Sequence, residues 1–203
     1  MKKLLMSFLV FTISLSAQTY VGNVLSNPGF EDTTAAGKAK WQVYPADYSS
    51  WNYEEEGVTM YGSSRKYPSY WGSWGFKLWG RYNGEANENS VYQTFNDVAA
   101  GKVVVFTGMS MTYNEDRIRG ENQSFLFIKT FDANWNMLQM STSDSMNVNS
   151  PADRWLGLGV EQTIPANTKY TQIGIGYYQK SNNDHGGLYW DDFVAYIGDQ
   201  MVD

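Results

Sequence analysis

The sequence contains no cysteine and a single histidine, His185. Without cysteine the protein can form no disulfide bond, no thiolate metal site and no cysteine nucleophile. A lipid anchor on a cysteine that follows an export signal is excluded for the same reason. The folded chain must therefore rely on its apolar core, helped at most by a hard metal ion that oxygen atoms hold.

Charged residues are also scarce, at 18% of the sequence, with 15 Lys and Arg against 21 Asp and Glu. The net charge of −6 repels phosphate backbones at long range, so nucleic acid is not an expected partner. Aromatic residues, in contrast, make up 16% of the chain and include 8 Trp and 15 Tyr. A core of this size does not require so many rings, and we expect some of them to face solvent for a purpose.

The N-terminus has the layout of a secretory signal peptide. Lys2 and Lys3 precede an apolar run from Leu4 to Leu15, and the small residues Ser16 and Ala17 follow. A buried N-terminal helix is the alternative. No later segment approaches the ~18 uncharged apolar residues of a membrane helix. We therefore predict a signal peptide over residues 1–17, export to the extracellular space or periplasm without a membrane anchor, and a single domain over residues 18–203.

The rest of the chain lacks helical periodicity and predicts an all-β protein. Short runs rich in Val, Ile, Tyr, Phe and Thr alternate with clusters of Gly, Asn, Asp and Pro. This spacing is typical of a jelly-roll β-sandwich of two antiparallel sheets. Tyr44–Ser73 predicts long loops with at most one short strand pair. The predicted strands are Val21–Leu25, Trp41–Val43, Gly75–Trp79, Val91–Phe95, Val103–Met111, Ser124–Phe131, Met137–Ser141, Leu158–Thr163, Gln172–Tyr178 and Leu188–Tyr196.

A series of short motifs runs in a fixed order along the chain. It opens on Asn27–Glu31, continues through Gly75–Leu78 and Val91–Phe95, and closes on Gly186–Phe193. In this order the motifs resemble those of carbohydrate-binding modules of the family 4/9 type and their jelly-roll relatives. The resemblance spans about residues 21–197. It implies a jelly-roll sandwich and the binding of a poly- or oligosaccharide, and it supports the fold better than the ligand.

The same resemblance implies a structural calcium ion between the two ends of the domain. Carried over, its ligands would be Glu31, the Lys77 carbonyl, and Asp191 or Asp192, since calcium accepts six to eight oxygen ligands. The alternative is that Glu31 caps a turn and the two aspartates are solvated charges at a strand end. A second acidic run, Asp132–Asn136, predicts a tight hairpin turn rather than a calcium loop.

Sugar binding needs exposed aromatic rings beside polar side chains, because a sugar ring has an apolar C–H face and a rim of hydroxyls. The densest aromatic segment is Tyr67–Trp74. Any single Trp there is more readily explained by core or edge packing than by ligand contact, and Trp155 and Trp190 are expected in the core. Trp135, at a turn tip, should either contact ligand or fold back onto the sheet. The candidate sugar-binding residues are Trp51, Tyr67, Tyr70, Trp71, Trp74, Trp79, Arg81, Gln93 and Tyr178.

Catalysis has weaker support in the sequence. Glycoside hydrolysis requires two carboxylates at a defined separation, whereas the candidate acids, such as Glu54–Glu56, lie in charged runs typical of solvated loops. His185 lies in a predicted turn. We therefore expect a non-catalytic protein that prefers neutral glycans and works beside a separate glycan-active enzyme or surface assembly. The alternatives are a structural or adhesive surface protein and a polysaccharide lyase or glycosidase of the jelly-roll type.

Overall fold

The structure is a computed structural model that describes residues 22–60, 64–81, 85–180, 184 and 186–199. Its strands form two five-stranded antiparallel sheets, and its one helix, α1, is a single turn over Ala35–Lys38. The predicted all-β sandwich is therefore confirmed. The predicted signal peptide lies outside the described residues and stays a prediction. No helix of the described part is both long enough and apolar enough to cross a membrane.

The two sheets, here called sheet A and sheet B, draw their strands from the whole chain. Sheet A has the order β1 (Gln42–Tyr44), β4 (Asn87–Asn96), β9 (Tyr170–Gln179), β6 (Gln123–Phe131) and β7 (Met137–Thr142). Sheet B has the order β2 (Trp51–Glu55), β3 (Trp74–Trp79), β10 (Gly187–Gly198), β5 (Val103–Met111) and β8 (Leu156–Thr163).

Two parts of the chain differ from their predicted strands. The expected first strand, Val21–Leu25, is not a strand from residue 22 onward, although Val24 donates its N–H to the Ala195 carbonyl of β10 at 3.0 Å. The segment Tyr44–Ser73, predicted as long loops with at most one short strand pair, contains β2. This strand pairs along its whole length with β3, which lies outside the segment. Both differences arise because pairing with β3 or β10 decides strand formation, and a short run does not reveal its partner.

The core lies between the inner faces of the sheets. In β3, Phe76 and Leu78 are fully buried, while Lys77 and Trp79 point to the outer face, as their alternation predicts. Trp190 is fully buried, as expected, whereas the prediction for Trp155 is wrong: it is only partly buried and packs edge-on against the exposed Tyr70. Phe30, from the motif at the start of the domain, is also fully buried and stacks on Phe76 with ring centroids 4.9 Å apart. The first motif therefore closes one side of the core.

A β-bulge in β10 changes which side chains face the core. The register against β5 shifts between Asp191 and Val194, and Asp192 has a positive φ of 50°. Phe193 therefore points inward and packs over Gly108, where a Cβ atom would lie 2.3 Å from the Phe193 ring. On the other side of the bulge, Asp191 points away from the core toward the loop before β3.

Candidate functional site

The aromatic cluster predicted as the sugar site is divided between three environments. Trp51 stacks on Phe76 at 5.6 Å, and Trp74 also packs against the core. Tyr67 and Trp79 lie on the outer face of sheet B. Of the cluster, Trp71 is the most open to solvent, with 53% of its surface exposed. The sequence brings these rings together, but the fold does not combine them into one site.

Three further candidates also lie apart from one another. Gln93 is buried, donates to the Ser26 carbonyl at 2.6 Å and accepts from the Ser26 N–H at 3.0 Å, so it fixes the N-terminal segment from inside and does not reach the surface. Arg81 forms an ion pair with Asp47 at 2.6 Å. Tyr178 is exposed on the outer face of sheet A.

The expected calcium ligands converge only in part. Asp191 is fully buried, and its Oδ2 accepts the N–H groups of Tyr70 at 2.7 Å and Trp71 at 3.0 Å. Oε1 of Glu31 accepts the N–H groups of Ser73 and Trp74, both at 3.0 Å. The two carboxylates therefore bind the same loop, residues 69–74. Burial raises the pKa of Asp191 to about 7, while backbone N–H donors, that of Trp71 first, act to lower it.

This arrangement does not fit a calcium ion. Calcium needs several oxygen acceptors, whereas the backbone N–H groups of the loop occupy these carboxylate oxygens. Lys77 pairs with Asn52 and Tyr189 in the middle of sheet B, and its ammonium group lies 2.8 Å from Asp116. Among the described residues no group of three or more acidic or histidine side chains could hold a metal ion. The loop of residues 69–74 therefore engages the carboxylates that the resemblance assigns to calcium.

We accordingly expect that calcium and chelators have little effect on thermal stability. A structural site at a hundredfold excess of calcium over its Kd would add about 2.7 kcal/mol, or about 5–10 °C in Tm for a domain of this size. Differential scanning calorimetry with excess calcium and with EDTA should give Tm values within about 1 °C of each other. A rise of several degrees in Tm with calcium would show that the protein does have a structural calcium site.

A concave cleft of about 510 Å³ lies on the outer face of sheet A. Its volume falls within the range of about 300–1,000 Å³ that is usual for ligand pockets. Aromatic, amide and charged side chains alternate around it, and we call it the sheet A cleft. It is lined by Gln42, Tyr44, Glu88, Ser90, Tyr92, Lys129, Phe131, Trp135, Met137 and Gln172.

Trp135 forms one wall of the sheet A cleft and is held by its turn and by a neighbouring ring. It sits at the tip of the β6–β7 turn with a φ of 63°, and the Asp132 carboxylate accepts N–H bonds from Asn134 and Asn136. This is the hairpin turn predicted for the segment. The indole ring stacks on Tyr170 at 3.9 Å and 8°, yet half of the residue stays exposed. Tyr170 therefore fixes the orientation of a ring that remains available for contact.

The ion pair between Lys129 and Glu88 spans the sheet A cleft. The two residues lie on β6 and β4, on either side of β9, and pair with opposite ends of the segment Gln172–Tyr178. Their charged atoms are nevertheless 3.0 Å apart, so the twist and curvature of the sheet bring these diagonal positions together. Between those ends β9 carries Gly174 and Gly176, which leave space for neighbouring side chains.

Several polar side chains of the sheet A cleft hydrogen-bond to one another or to neighbouring side chains. Gln172 hydrogen-bonds to the Tyr92 hydroxyl, whose pKa is raised mainly by burial. Thr94 donates to Oε1 of Gln42 at 2.8 Å. Tyr44, with 59% of its surface exposed, stands on β1 at the opposite edge of the sheet from β7. The cleft therefore offers two open aromatic rings, amides and one ion pair.

Few residues of the sheet A cleft could be predicted from the sequence. Trp135 was identified as unusual at a turn tip, and the small residues of β9 can be read from their alternation. No local sequence pattern marked Tyr44, Glu88 and Lys129 as members of a binding site, because only the strand order β1-β4-β9-β6-β7 brings them to one face of the sheet.

Comparison with known proteins informs the fold rather than the activity. No protein-family model and no curated protein match the chain. Among solved structures, TmCBM61 in complex with β-1,4-galactotriose is 18% identical, with a TM-score of 0.51 over 86% of this chain and 97% of that one. The CBM22-1 xylan-binding domain of Paenibacillus barcinonensis Xyn10C is 14% identical, with a TM-score of 0.53 over 85% and 93%.

Enzymes also share this architecture. A cyclase from Fischerella sp. TAU matches with a TM-score of 0.59 at 11% identity, over 90% of this chain and 99% of that one. The chain spans only 21% of a matching domain of bacteriophage CBA120 tailspike protein 4. Since one fold serves different activities, function has to be argued from the site. The chain has the β-sandwich fold of the carbohydrate-binding modules.

Proposed function

We propose that this chain is a secreted, non-catalytic protein that binds a neutral polysaccharide or oligosaccharide in the sheet A cleft. The observation that carries the proposal is the exposed Trp135 ring, stacked on Tyr170 at 3.9 Å beside a concave, polar sheet face. A fixed indole can cover the apolar face of a sugar ring without a large loss of side-chain entropy. Amide and charged groups at the same face can satisfy the hydroxyls.

The charges of the sheet A cleft favour a neutral ligand. Lys129 and Glu88 neutralise each other at 3.0 Å, and they are the charged residues among the described residues that line the cleft. An anionic uronate or sulfated chain would find no unpaired cation and would meet a protein of net charge −6. Neutral sugar hydroxyls, in contrast, can donate to the carboxylate and accept from the ammonium group.

Two acidic residues outside both clefts are engaged in ion pairs. Glu115 pairs with Arg65 at 3.1 Å, and Glu121 pairs with Lys180 at 2.7 Å. Both glutamates lie in the connection between β5 and β6, and their exposed ion pairs are typical of solvated structural charges. His185 lies outside the described residues. The proposal of a non-catalytic role therefore rests on the sheet A cleft, in which Glu88, the acidic residue of its described lining, is already paired with Lys129.

A screen of immobilised or gel-entrapped polysaccharides tests the proposed function. β-1,4-Galactan and xylan belong in it, because the two structural neighbours are named with ligands of these kinds. We expect retention on at least one neutral polysaccharide, with EDTA present or absent, and none on polygalacturonate or heparin. Retention only on the anionic polymers, or on none, would overturn the proposal. Release of reducing ends during incubation would favour the enzymatic alternative.

A further inference from the structure

A second, smaller cleft lies on the opposite side of the sandwich. It has a volume of about 260 Å³ and opens on the outer face of sheet B, and we call it the sheet B cleft. Strands β2 and β3 and two loops contribute its walls. They are Glu54, Tyr67, Lys77, Trp79 and Asp116. None of these residues lies in the sheet A cleft.

Aromatic rings form the floor and sides of the sheet B cleft. Tyr189 of β10 is fully buried beneath it, with Tyr67 at 6.3 Å and Tyr113 at 5.5 Å between ring centroids. The Lys77 ammonium group lies 5.4 Å from the centre of the Tyr189 ring and 5.7 Å from that of Trp79. A cation therefore already occupies the aromatic faces, and a second cation would be repelled.

The polar groups of the sheet B cleft are fixed by close packing. Lys77 binds Asp116 at 2.8 Å directly over Gly187, where a Cβ atom would lie 2.6 Å from Cε of Lys77 and 2.8 Å from Oδ2 of Asp116. On the other wall, Glu54 accepts from Asn52 at 3.4 Å, and burial raises the pKa of Glu54. A cleft so built presents two carboxylates and one ammonium group around aromatic walls.

We propose that the sheet B cleft is a second carbohydrate site that takes a single neutral sugar ring at the end of a glycan. Its 260 Å³ is just below the range of about 300–1,000 Å³ for drug-sized ligands and suits one ring rather than a chain. Because the cleft has two carboxylates and only one ammonium group in its described lining, it disfavours the binding of uronates and phosphates. The ligand class rests on the proposed function, whereas the site is independent of the sheet A cleft.

Two sites on opposite faces would let one domain hold two glycans at once. Because the sheets lie back to back, a chain bound in the sheet A cleft cannot reach the sheet B cleft without passing around the sandwich. The protein would therefore crosslink soluble polysaccharide rather than coat it.

Nuclear magnetic resonance of the ¹⁵N-labelled chain without residues 1–17 separates the two sites. The probes are D-galactose, D-xylose, β-1,4-galactotriose and xylohexaose, followed through the indole N–H signals of Trp79 and Trp135. We expect at least one monosaccharide to shift Trp79 saturably, in the wild type and in Trp135→Ala alike. Glu54→Gln and Asp116→Asn, which keep side-chain shape, should each weaken this binding at least about tenfold. Tyr196→Ala, an exposed ring in neither cleft, is the control.

The outcomes distinguish this site from the proposed function. A shift of the Trp135 indole N–H signal without a shift of the Trp79 signal would overturn the sheet B site and would support the proposed function. Shifts of Trp79 with a silent Trp135 under every probe would support the sheet B site and overturn the sheet A cleft. If neither signal responds to any probe, both are overturned.

Discussion

Replacing Trp135 with alanine should weaken binding to the glycan retained in the screen by about 30-fold or more. Removal of a central aromatic contact costs about 2 kcal/mol or more at a typical binding hot spot, which corresponds to this factor. The indole is the largest exposed ring of the sheet A cleft, and Tyr170 stacked at 3.9 Å already holds it in place. Isothermal titration calorimetry with an oligosaccharide of the retained glycan measures the change.

Two variants control this result. Trp135→Phe keeps a ring that can stack on Tyr170 and should retain part of the affinity, whereas Tyr196→Ala removes an exposed ring outside both clefts and should change nothing. The Tm of each variant shows whether the turn has survived. Unchanged affinity in Trp135→Ala, together with a loss in Trp71→Ala, would place the glycan on the loop predicted from the sequence.

Replacing Asp191 with asparagine should lower the free energy of unfolding by about 3 kcal/mol. Oδ2 of Asp191 accepts two N–H bonds from the loop of residues 69–74, and Oδ1 accepts the Asp192 N–H at 2.7 Å. An asparagine side chain has one acceptor oxygen, so its NH₂ group would face a buried N–H donor in either orientation. The loop loses its anchor, and a buried polar group remains unsatisfied.

Urea denaturation followed by tryptophan fluorescence measures this loss, and a fall of about 6–12 °C in Tm should accompany it. Asp192→Asn is the matched control, since Asp192 is the next residue but its side chain accepts none of these bonds, and Asn tolerates its positive φ of 50°. We expect a change below about 0.5 kcal/mol there. Equal effects of the two substitutions would contradict the role assigned to Asp191.

Local sequence patterns predicted most of the strands. The alternation in Gly75–Trp79 gave the correct inward and outward faces, and the run Asp132–Asn136 gave the correct turn. Segments whose apolar residues alternate carry this information themselves. Tyr44–Ser73 was predicted as long loops with at most one short strand pair, and β2 was not located within it. Trp51 and Tyr53 of β2 do alternate with Asn52 and Glu54, but over only five residues, and pairing with β3 makes the segment a strand.

The candidate site depended on information that no short segment contains. Lys129 and Glu88 meet only because β9 pairs with β4 on one side and β6 on the other, and because the sheet is twisted and curved. Resemblance predicted that Glu31 and Asp191 approach each other, but not that loop N–H groups would take up their oxygens. The sequence cluster Tyr67–Trp74 was divided because residues 67–73 form a loop, which Asp191 and Glu31 anchor through its backbone N–H groups, and only Trp74 belongs to β3.

The position of a bound glycan tests the central claim most directly. A crystal structure of the protein with an oligosaccharide of the retained glycan should show a sugar ring parallel to the Trp135 indole, on the face away from Tyr170. Its hydroxyls should lie within hydrogen-bond distance of the Lys129–Glu88 pair. A glycan seated on the loop around Trp71, with the sheet A cleft empty, would contradict the claim.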